Sequence, residues 1–433
     1  MNIINYFLVF LAVLIISLIL NINMSIPVGI GVLIFGLAAY KKGLSIKEIY
    51  KLAISTVKES MIVVKILLLI GCMTGLWRAS GTIAYFVSMG IRIIPESLFI
   101  LSAFLITTIM SLALGTSFGI TATCGVILMT IARAGNANVI ITAGAIMSGV
   151  YVGDRASYAA SSANLVASIT KTDIKDNIPK LMKTSIIPVL ICIVLYSVFS
   201  ILNPLTVKDL SLLNIMENEF VQSPFCLIPA VLMLALPFFK VKVSNCMIIS
   251  IISSIICCLF IQNQSILEII NYMLMGFKPH NPELISTFSG GGLISMLDIC
   301  LILVLSGSYG GIFEGASLLD QLDKYLFKLK EKTSRFMVMV LISILVCAIF
   351  CNQTIGVIML NLICNNLYSE EEKDIKMLDI ESSVIVIAGL VPWCIACSVP
   401  LSMLGVGIKA IPYSFFLFLI PIIRLIQSKR HFN

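Results

Sequence analysis

The residues best suited to do chemistry are polar groups set inside apolar runs. Between Gly149 and Asn164, Asp154 and Arg155 stand side by side in an otherwise apolar stretch. Charges in such a place are costly unless they pair or line a wet cavity. They read either as a structural pair pinning two half-helices or as part of a binding site, with Gly153 as the point where a helix would break. Ser157, Ser161, Ser162 and Asn164 follow at spacings that give a polar stripe facing a cavity. A second group, Thr116, Ser117, Thr121 and Thr123 among Gly115 and Gly119, offers hydroxyls to a cation or solute. The same small residues would also make a helix-packing face. A third set comprises Glu314, Asn352, Gln353, Thr354, Glu381, Ser382 and Ser383. Glu314 and Glu381 flank apolar spans and read equally well as solvated ends, whereas Asn352 and Gln353 sit between two apolar runs. Pro392, Trp393 and Cys394 interrupt a further span. The missing proline N–H frees a carbonyl for a ligand, or simply kinks the helix.

The elements that position these groups follow from composition. The chain has 433 residues, 59% hydrophobic and 12% charged, where a soluble domain carries about 25% charged residues. Lipid solvates such a chain and water does not. The net charge of +7 is gathered in a few short loops, so it reads as a topology signal and not as a nucleic-acid surface. Thirteen cysteines show no repeated ligand spacing, and the Cys394/Cys397 pair has no second pair or histidine beside it. They are expected to act as small membrane-helix hydrophobes. No phosphate-binding loop, HExxH, catalytic triad or sizeable soluble segment is present, so the expectation is a transporter driven by an ion gradient and not an enzyme.

Apolar stretches recur near 3–20, 26–40, 61–77, 97–114, 117–132, 138–153, 186–202, 225–239, 245–262, 292–312, 336–351, 353–368, 383–399 and 405–425. Only helices satisfy their backbone in lipid, so the fold expected is an all-α polytopic membrane protein with twelve to fourteen transmembrane helices. Residues 3–20 have no basic leader and no cleavage site, and read as a retained helix. Basic clusters at 41–58, 171–183, 240–242, 324–335 and 424–430 place those loops and both termini in the cytoplasm, in a multi-pass inner-membrane protein. Residues 203–224 and 262–291 are then outside. Glu370, Glu371 and Glu372 fall on the cytoplasmic side against the trend, but acidic residues count little in that rule.

Two stretches read alike at a separation of about 236 residues. Gly75–Thr82 ends one span as Gly311–Ser317 ends another, and the break at Gly115–Gly119 matches that at Cys351–Thr354. Interruptions near Asp154 and Pro392 follow. The loop before the first unit is basic and the loop before the second is outside, so the units are expected upside down relative to each other. Inverted repeats with broken helices point to a secondary transporter working by alternating access. The organisation expected is a hairpin and loop at 1–60, a first repeat at 61–185, connecting helices at 186–291, and a second repeat with a C-terminal helix at 292–433.

Together, Gly75–Thr82, Gly115–Gly119, Gly149–Ser157, Tyr309–Glu314, Val391–Trp393 and Leu404–Val406 give a sequence that resembles the NhaC family of sodium/proton antiporters. The resemblance implies a fold of the ion-transporter superfamily and cation/proton antiport. Three acidic positions of the family differ here. Its aspartate falls on Ser161, its Asp-Gln on Asn352-Gln353, and its Glu-Asp on Glu381-Ser382. Its Pro-Trp-Asn falls on Pro392-Trp393-Cys394. The candidate site is Thr116, Ser117, Thr121, Asp154, Arg155, Ser157, Ser161, Ser162, Asn164, Glu314, Asn352, Gln353, Thr354, Ser382, Trp393 and Cys394. With Arg155 as counter-ion to Asp154, this site would be nearly neutral and sodium/proton exchange weak. Exchange of a small organic solute, an amino acid or carboxylate, is the alternative; a non-transporting accessory subunit is the rival of another class. Apart from a bound Na+, no cofactor is expected. The partners are a small solute or cation and the lipid bilayer, with no nucleic acid; a homodimer is one assembly it could form.

Overall fold

The computed structural model describes residues 3–20, 22–206, 215–216, 218–239, 241–316 and 333–430. Every element of more than an isolated bridge is helical among these residues. Five stretches, 96–114, 117–134, 174–202, 243–260 and 293–313, are long and apolar enough to cross a membrane, and 63–79 with 82–90, bent by 67°, make a sixth. Shorter apolar helices lie at Asn5–Ile19, Ser25–Lys41, Pro224–Phe239, Ile266–Met275, Arg335–Phe350, Gln353–Leu367 and Phe415–Ser428. The basic cluster at 324–332 lies outside the described residues.

The helices in order are α1 (Ile3–Ile19), α2 (Ser25–Lys41), α3 (Ile46–Ala79), α4 (Thr82–Ile93), α5 (Phe99–Leu114), α6 (Ser117–Ile120), α7 (Val126–Ala134), α8 (Val139–Ala156), α9 (Ser161–Thr170) and α10 (Ile174–Leu202). Then come α11 (Ile228–Ala235), α12 (Val243–Phe260), α13 (Ile266–Met275), α14 (Pro282–Phe288), α15 (Leu297–Gly315), α16 (Arg335–Phe350), α17 (Gln353–Cys364), α18 (Lys373–Ser382), α19 (Val384–Ala388), α20 (Ile395–Met403) and α21 (Phe415–Arg430). A π-helical turn, Thr121–Gly125, joins α6 to α7.

Helix α10 shows how the sequence suits lipid. Ile186, Leu190, Val194, Val198 and Ile201 recur every three to four residues and are exposed, while Leu181, Ser185, Cys192, Tyr196 and Ser200 on the other face are buried. The apolar stripe meets the acyl chains and the small or polar stripe packs inward, the reverse of a soluble helix. Many buried hydroxyls are satisfied within their own helices, as where Thr107 bonds Ala103 O at 2.7 Å and Thr130 bonds Val126 O at 2.8 Å.

The pairs α5/α7 and α16/α17, which read as successive spans, fold as hairpins. At the base of the first, Leu205 N donates to Glu96 O and Thr206 N to Gly135 O, so its two ends meet one short segment. At the base of the second, Arg335 donates to Leu367 O at 3.5 Å and lies over the Tyr368 ring at 4.4 Å. The tips share one backbone solution. Gly115 (φ 63°) and Cys351 (φ 54°) are left-handed, and Thr116 (φ −132°) and Asn352 (φ −139°) are extended N-caps. The two left-handed residues are separated by 236 positions, the spacing read in the sequence.

Each hairpin crosses a broken span. The first is α8–α9, interrupted at 157–160; the second is α18–α19 followed by α20, interrupted at 389–394. The crossings share one bond at the same spacing. Ser157 Oγ donates to Leu112 O at 2.7 Å, and Trp393 Nε1 donates to Ala348 O at 2.7 Å.

The hairpins point in opposite directions, and α10 is the ruler. Near its start Lys180 pairs with Asp374 at 2.5 Å, two residues beyond Glu372, which holds Arg335 at 2.8 Å. Its far end runs into Leu205 and Thr206 at the base of the first hairpin. Lys180 to Leu202 spans roughly 33 Å of helix, about one bilayer core. The hairpin bases therefore lie at opposite ends of the molecule.

Candidate ion site where the hairpin tips meet

Helix α8 carries Asp154 to the meeting point. It packs against α5 along its length because Gly149 and Gly153 have no side chains: a Cβ on Gly153 would lie 2.0 Å from the Ser111 carbonyl carbon, and one on Gly149 2.1 Å from Thr107 Oγ1. Ser111 stitches the contact by donating to Gly149 O at 2.8 Å and accepting from Gly153 N at 3.1 Å. Gly153 is thus a close-approach residue and not the helix break expected from the sequence; α8 runs on to Ala156.

Asp154 is 4% exposed. One oxygen accepts from Gln353 Nε2 at 3.1 Å, and the same amide donates to Ile385 O at 3.0 Å. Ser162 Oγ donates to the Asp154 main-chain oxygen at 2.5 Å, and the Ser117 hydroxyl lies beside the carboxylate. Asp154 therefore gathers Ser117 from the first tip, Gln353 from the second and Ser162 from the first turn of α9. A cavity of about 160 Å³ opens next to it, lined by Ser161, Ser162, Gln353, Thr354 and Ile385 among others. Gln353 is a neutral donor, so it orients the carboxylate without neutralising it.

Arg155 is not the counter-ion of Asp154. Neighbouring residues on a helix point about 100° apart, and Arg155 turns toward α10 and α18. It is fully buried and donates five hydrogen bonds, to Glu381 O (3.2 Å), Leu181 O (3.0 Å), Ser185 Oγ (2.7 Å), Thr184 Oγ1 (2.9 Å) and Ser382 Oγ (3.1 Å). The expectation of a neutral Asp154–Arg155 pair fails on this geometry.

Glu381 does not sit at a solvated span end. It is fully buried, and neither carboxylate oxygen has a hydrogen-bond partner. Arg155 and Asp154 are near enough to act on its charge. A buried carboxyl with unused oxygens is where a proton or cation can be taken up. Hydropathy alone hid it, because it follows a charged stretch that reads as the end of a loop.

Several expected site residues instead hold the breaks in shape. Asn352 caps α17, accepting from Thr354 N at 2.9 Å and Ile355 N at 3.3 Å, and Thr116 caps α6 through Gly119 N at 3.2 Å. Thr121 bonds back to Ser117 O at 2.8 Å. Asn164 straps the first break through Tyr158 O and Ala160 O at 3.0 and 2.7 Å, and is itself exposed. Ser157 and Trp393 are the crossing bonds already described, Ser382 belongs to the Arg155 network, and buried Cys394 caps α20 with its backbone. The Glu314 side chain lies outside the described residues. Tyr151, one turn before Asp154, is outside the candidate set read from the sequence; its hydroxyl donates to Ala396 O at 2.7 Å, a carbonyl left without a helical partner because Pro400, four residues on, has no N–H. All thirteen cysteines are buried, and no cluster of three metal-ligating side chains occurs among the described residues.

Two of the three glutamates in the acidic loop that runs against the charge trend are paired locally, as is Asp374 beside them. Glu372 pairs with Arg335, Asp374 with Lys180, and Glu370 with Lys373 at 2.9 Å.

The chain is similar to several known transporters. It is 27% identical over 395 residues to the malate-2H(+)/Na(+)-lactate antiporter of Bacillus subtilis, covering 89% of this chain and 84% of the relative. It is 27% identical to the Na(+)/H(+) antiporter NhaC of the same organism, covering 96% and 95%. It is 23% identical to the arginine/ornithine antiporter ArcD of Halobacterium salinarum, covering 94% and 87%. The sequence model of the Na+/H+ antiporter family matches residues 149–427, a stretch that holds Asp154, Gln353, Glu381 and the whole second hairpin, and on that match the chain belongs to the Na+/H+ antiporter family.

Proposed function

We propose that this protein is a secondary antiporter that exchanges a cation, Na+ in the simplest case, for protons by alternating access. The observation that carries this reading is the Asp154 carboxylate, held between two oppositely directed hairpin tips and left without a guanidinium partner. Cation and proton compete for that charge. Ser117 and main-chain oxygens at the broken helices supply neutral ligands of the kind Na+ takes, and Glu381 offers a second protonatable group close by. The clustering of Lys180, Arg335 and Arg424 toward one end, Arg424 on Asp379 at 2.7 Å, supports a cytoplasmic placement of that end and of both termini. The two relatives that exchange organic solutes support solute exchange as the second reading.

The test is proteoliposomes loaded with a pH-sensitive dye. Adding Na+ should drive proton movement in the wild type. Asp154→Asn should abolish it, and Glu381→Gln should leave cation binding but lower the protons moved per cation. Wild-type rates in Asp154→Asn would remove the site from the mechanism.

A further inference from the structure

A second polar cavity lies away from Asp154 and plays no part in the cation reading. Its volume is about 440 Å³, and two arginines, Arg78 and Arg133, line it together with Ser289, Ser295, Ser402 and the Gly290–Gly291 backbone. No acidic side chain lines it. Among the described residues neither arginine has a carboxylate partner. Arg78 is 6% exposed. It spends one amino group on Thr74 O at 2.9 Å, and its Nε has no partner. The Ser289 hydroxyl is also buried without a partner. Arg133 is held by one nitrogen, on Leu404 O at 2.5 Å and Gly405 O at 3.2 Å, which leaves the rest of its donor fork free.

The wall is built for close approach to these guanidiniums. Gly290, Gly291 and Gly292 have φ of 130°, 76° and 86°. This turn lies on α3, with Gly292 N donating to Gly71 O at 2.7 Å, and a Cβ on Gly291 would stand 2.3 Å from Gly75 N. The cavity sits at the end of the molecule marked by the first hairpin base, since Gly135, two residues past Arg133, binds Thr206 there.

Two guanidiniums with spare donors and no counter-charge, one of them buried, are compensated most naturally by an anion. The fork geometry of arginine suits the two oxygens of a carboxylate. Ile285, Met296 and Met403 supply an apolar wall, and the volume exceeds what a single halide needs. We propose that this cavity is a binding site for a small organic carboxylate with a short carbon skeleton, gripped by Arg78 and Arg133 and separate from the Asp154 site. Helix α20 connects the two places: Tyr151 holds its first turn at Ala396 O, and Ser402 and Met403 in its last turn line the carboxylate cavity.

The experiment uses the full chain purified in detergent and follows thermal melting with acetate, lactate and succinate, against chloride and phosphate at matched ionic strength. At least one carboxylate should give a saturable shift. Arg78→Gln and Arg133→Gln should each weaken it by roughly tenfold or more, while Asp154→Asn should leave it unchanged, which separates this site from the cation site. A shift absent for every carboxylate, equalled by chloride or phosphate, or retained in both glutamine variants overturns the proposal. Should a variant fail to fold, phenylglyoxal labelling of the wild type decides. The carboxylate should slow modification of Arg78 or Arg133 where chloride does not, and equal rates overturn the proposal.

Discussion

Replacing Arg155 separates its two possible roles, clamp and counter-ion. Its five hydrogen bonds reach acceptors on α10 and α18, whereas a lysine at the same position has three donors. At least two buried acceptors then lose a charged partner, each worth about 1.5–3 kcal/mol. Arg155→Lys should therefore destabilise the protein by about 3–6 kcal/mol, although it keeps the charge. Arg155→Gln should cost at least as much and leave Na+ affinity close to the wild type in whatever fraction folds. Equilibrium unfolding in mixed micelles gives the first quantity, and isothermal titration with Na+ gives the second. If Arg155→Lys is as stable as the wild type while Arg155→Gln gains tenfold or more in Na+ affinity, Arg155 is the counter-ion of Asp154 after all, and the clamp argument is refuted.

Gly153→Ala should prevent normal assembly, because the new methyl would meet main-chain atoms of Ser111 at 2.0–2.1 Å that cannot yield; fluorescence-detected size exclusion should show loss of the monodisperse peak. At the base of the second hairpin, the hydrogen bond from Arg335 holds the Glu372 carboxyl below its ordinary range. The clasp therefore stabilises above the unfolded carboxylate value and is lost as pH falls through the folded one. The gap in melting temperature between wild type and Glu372→Gln should be present near neutrality and close below about pH 4; a gap that persists in acid would mean the glutamine disturbs something other than the ion pair.

Much of this architecture was legible because lipid leaves few choices. The α10 stripe, the break at Gly115–Thr116 and its partner at Cys351–Asn352 are all visible as local interruptions of apolar runs. What hydropathy does not carry is direction. One arm of a hairpin such as α16 and any other apolar helix have the same length and composition, so the folding of α16/α17 into a hairpin depends on contacts at 335 and 367 that no window of sequence contains. Side-chain aim was equally hidden. Asp154 and Arg155 are neighbours in sequence, and the helical turn sends one to Gln353 and the other to Ser185. Asn352 and Gln353 look alike in composition, yet the first spends its oxygen on a cap and the second faces the carboxylate.

The crossing of the two hairpins also sets how strongly transport feels voltage. From the start of α8 at Asn138 to Asp154 is about 24 Å of helix, whereas from Asp374 to Glu381, beside Arg155, is about 10 Å. The carboxylate is therefore electrically off-centre. One unit charge moved across the whole membrane gains about 2.3 kcal/mol per 100 mV. On these lengths roughly two thirds of that, about 1.5 kcal/mol, falls between Asp154 and the end where α8 begins, and the remainder on the side of the basic clusters. An ion binding from the first side should show steep voltage dependence, and one binding from the second should show little, so current relaxations after a voltage step would report which side the site faces.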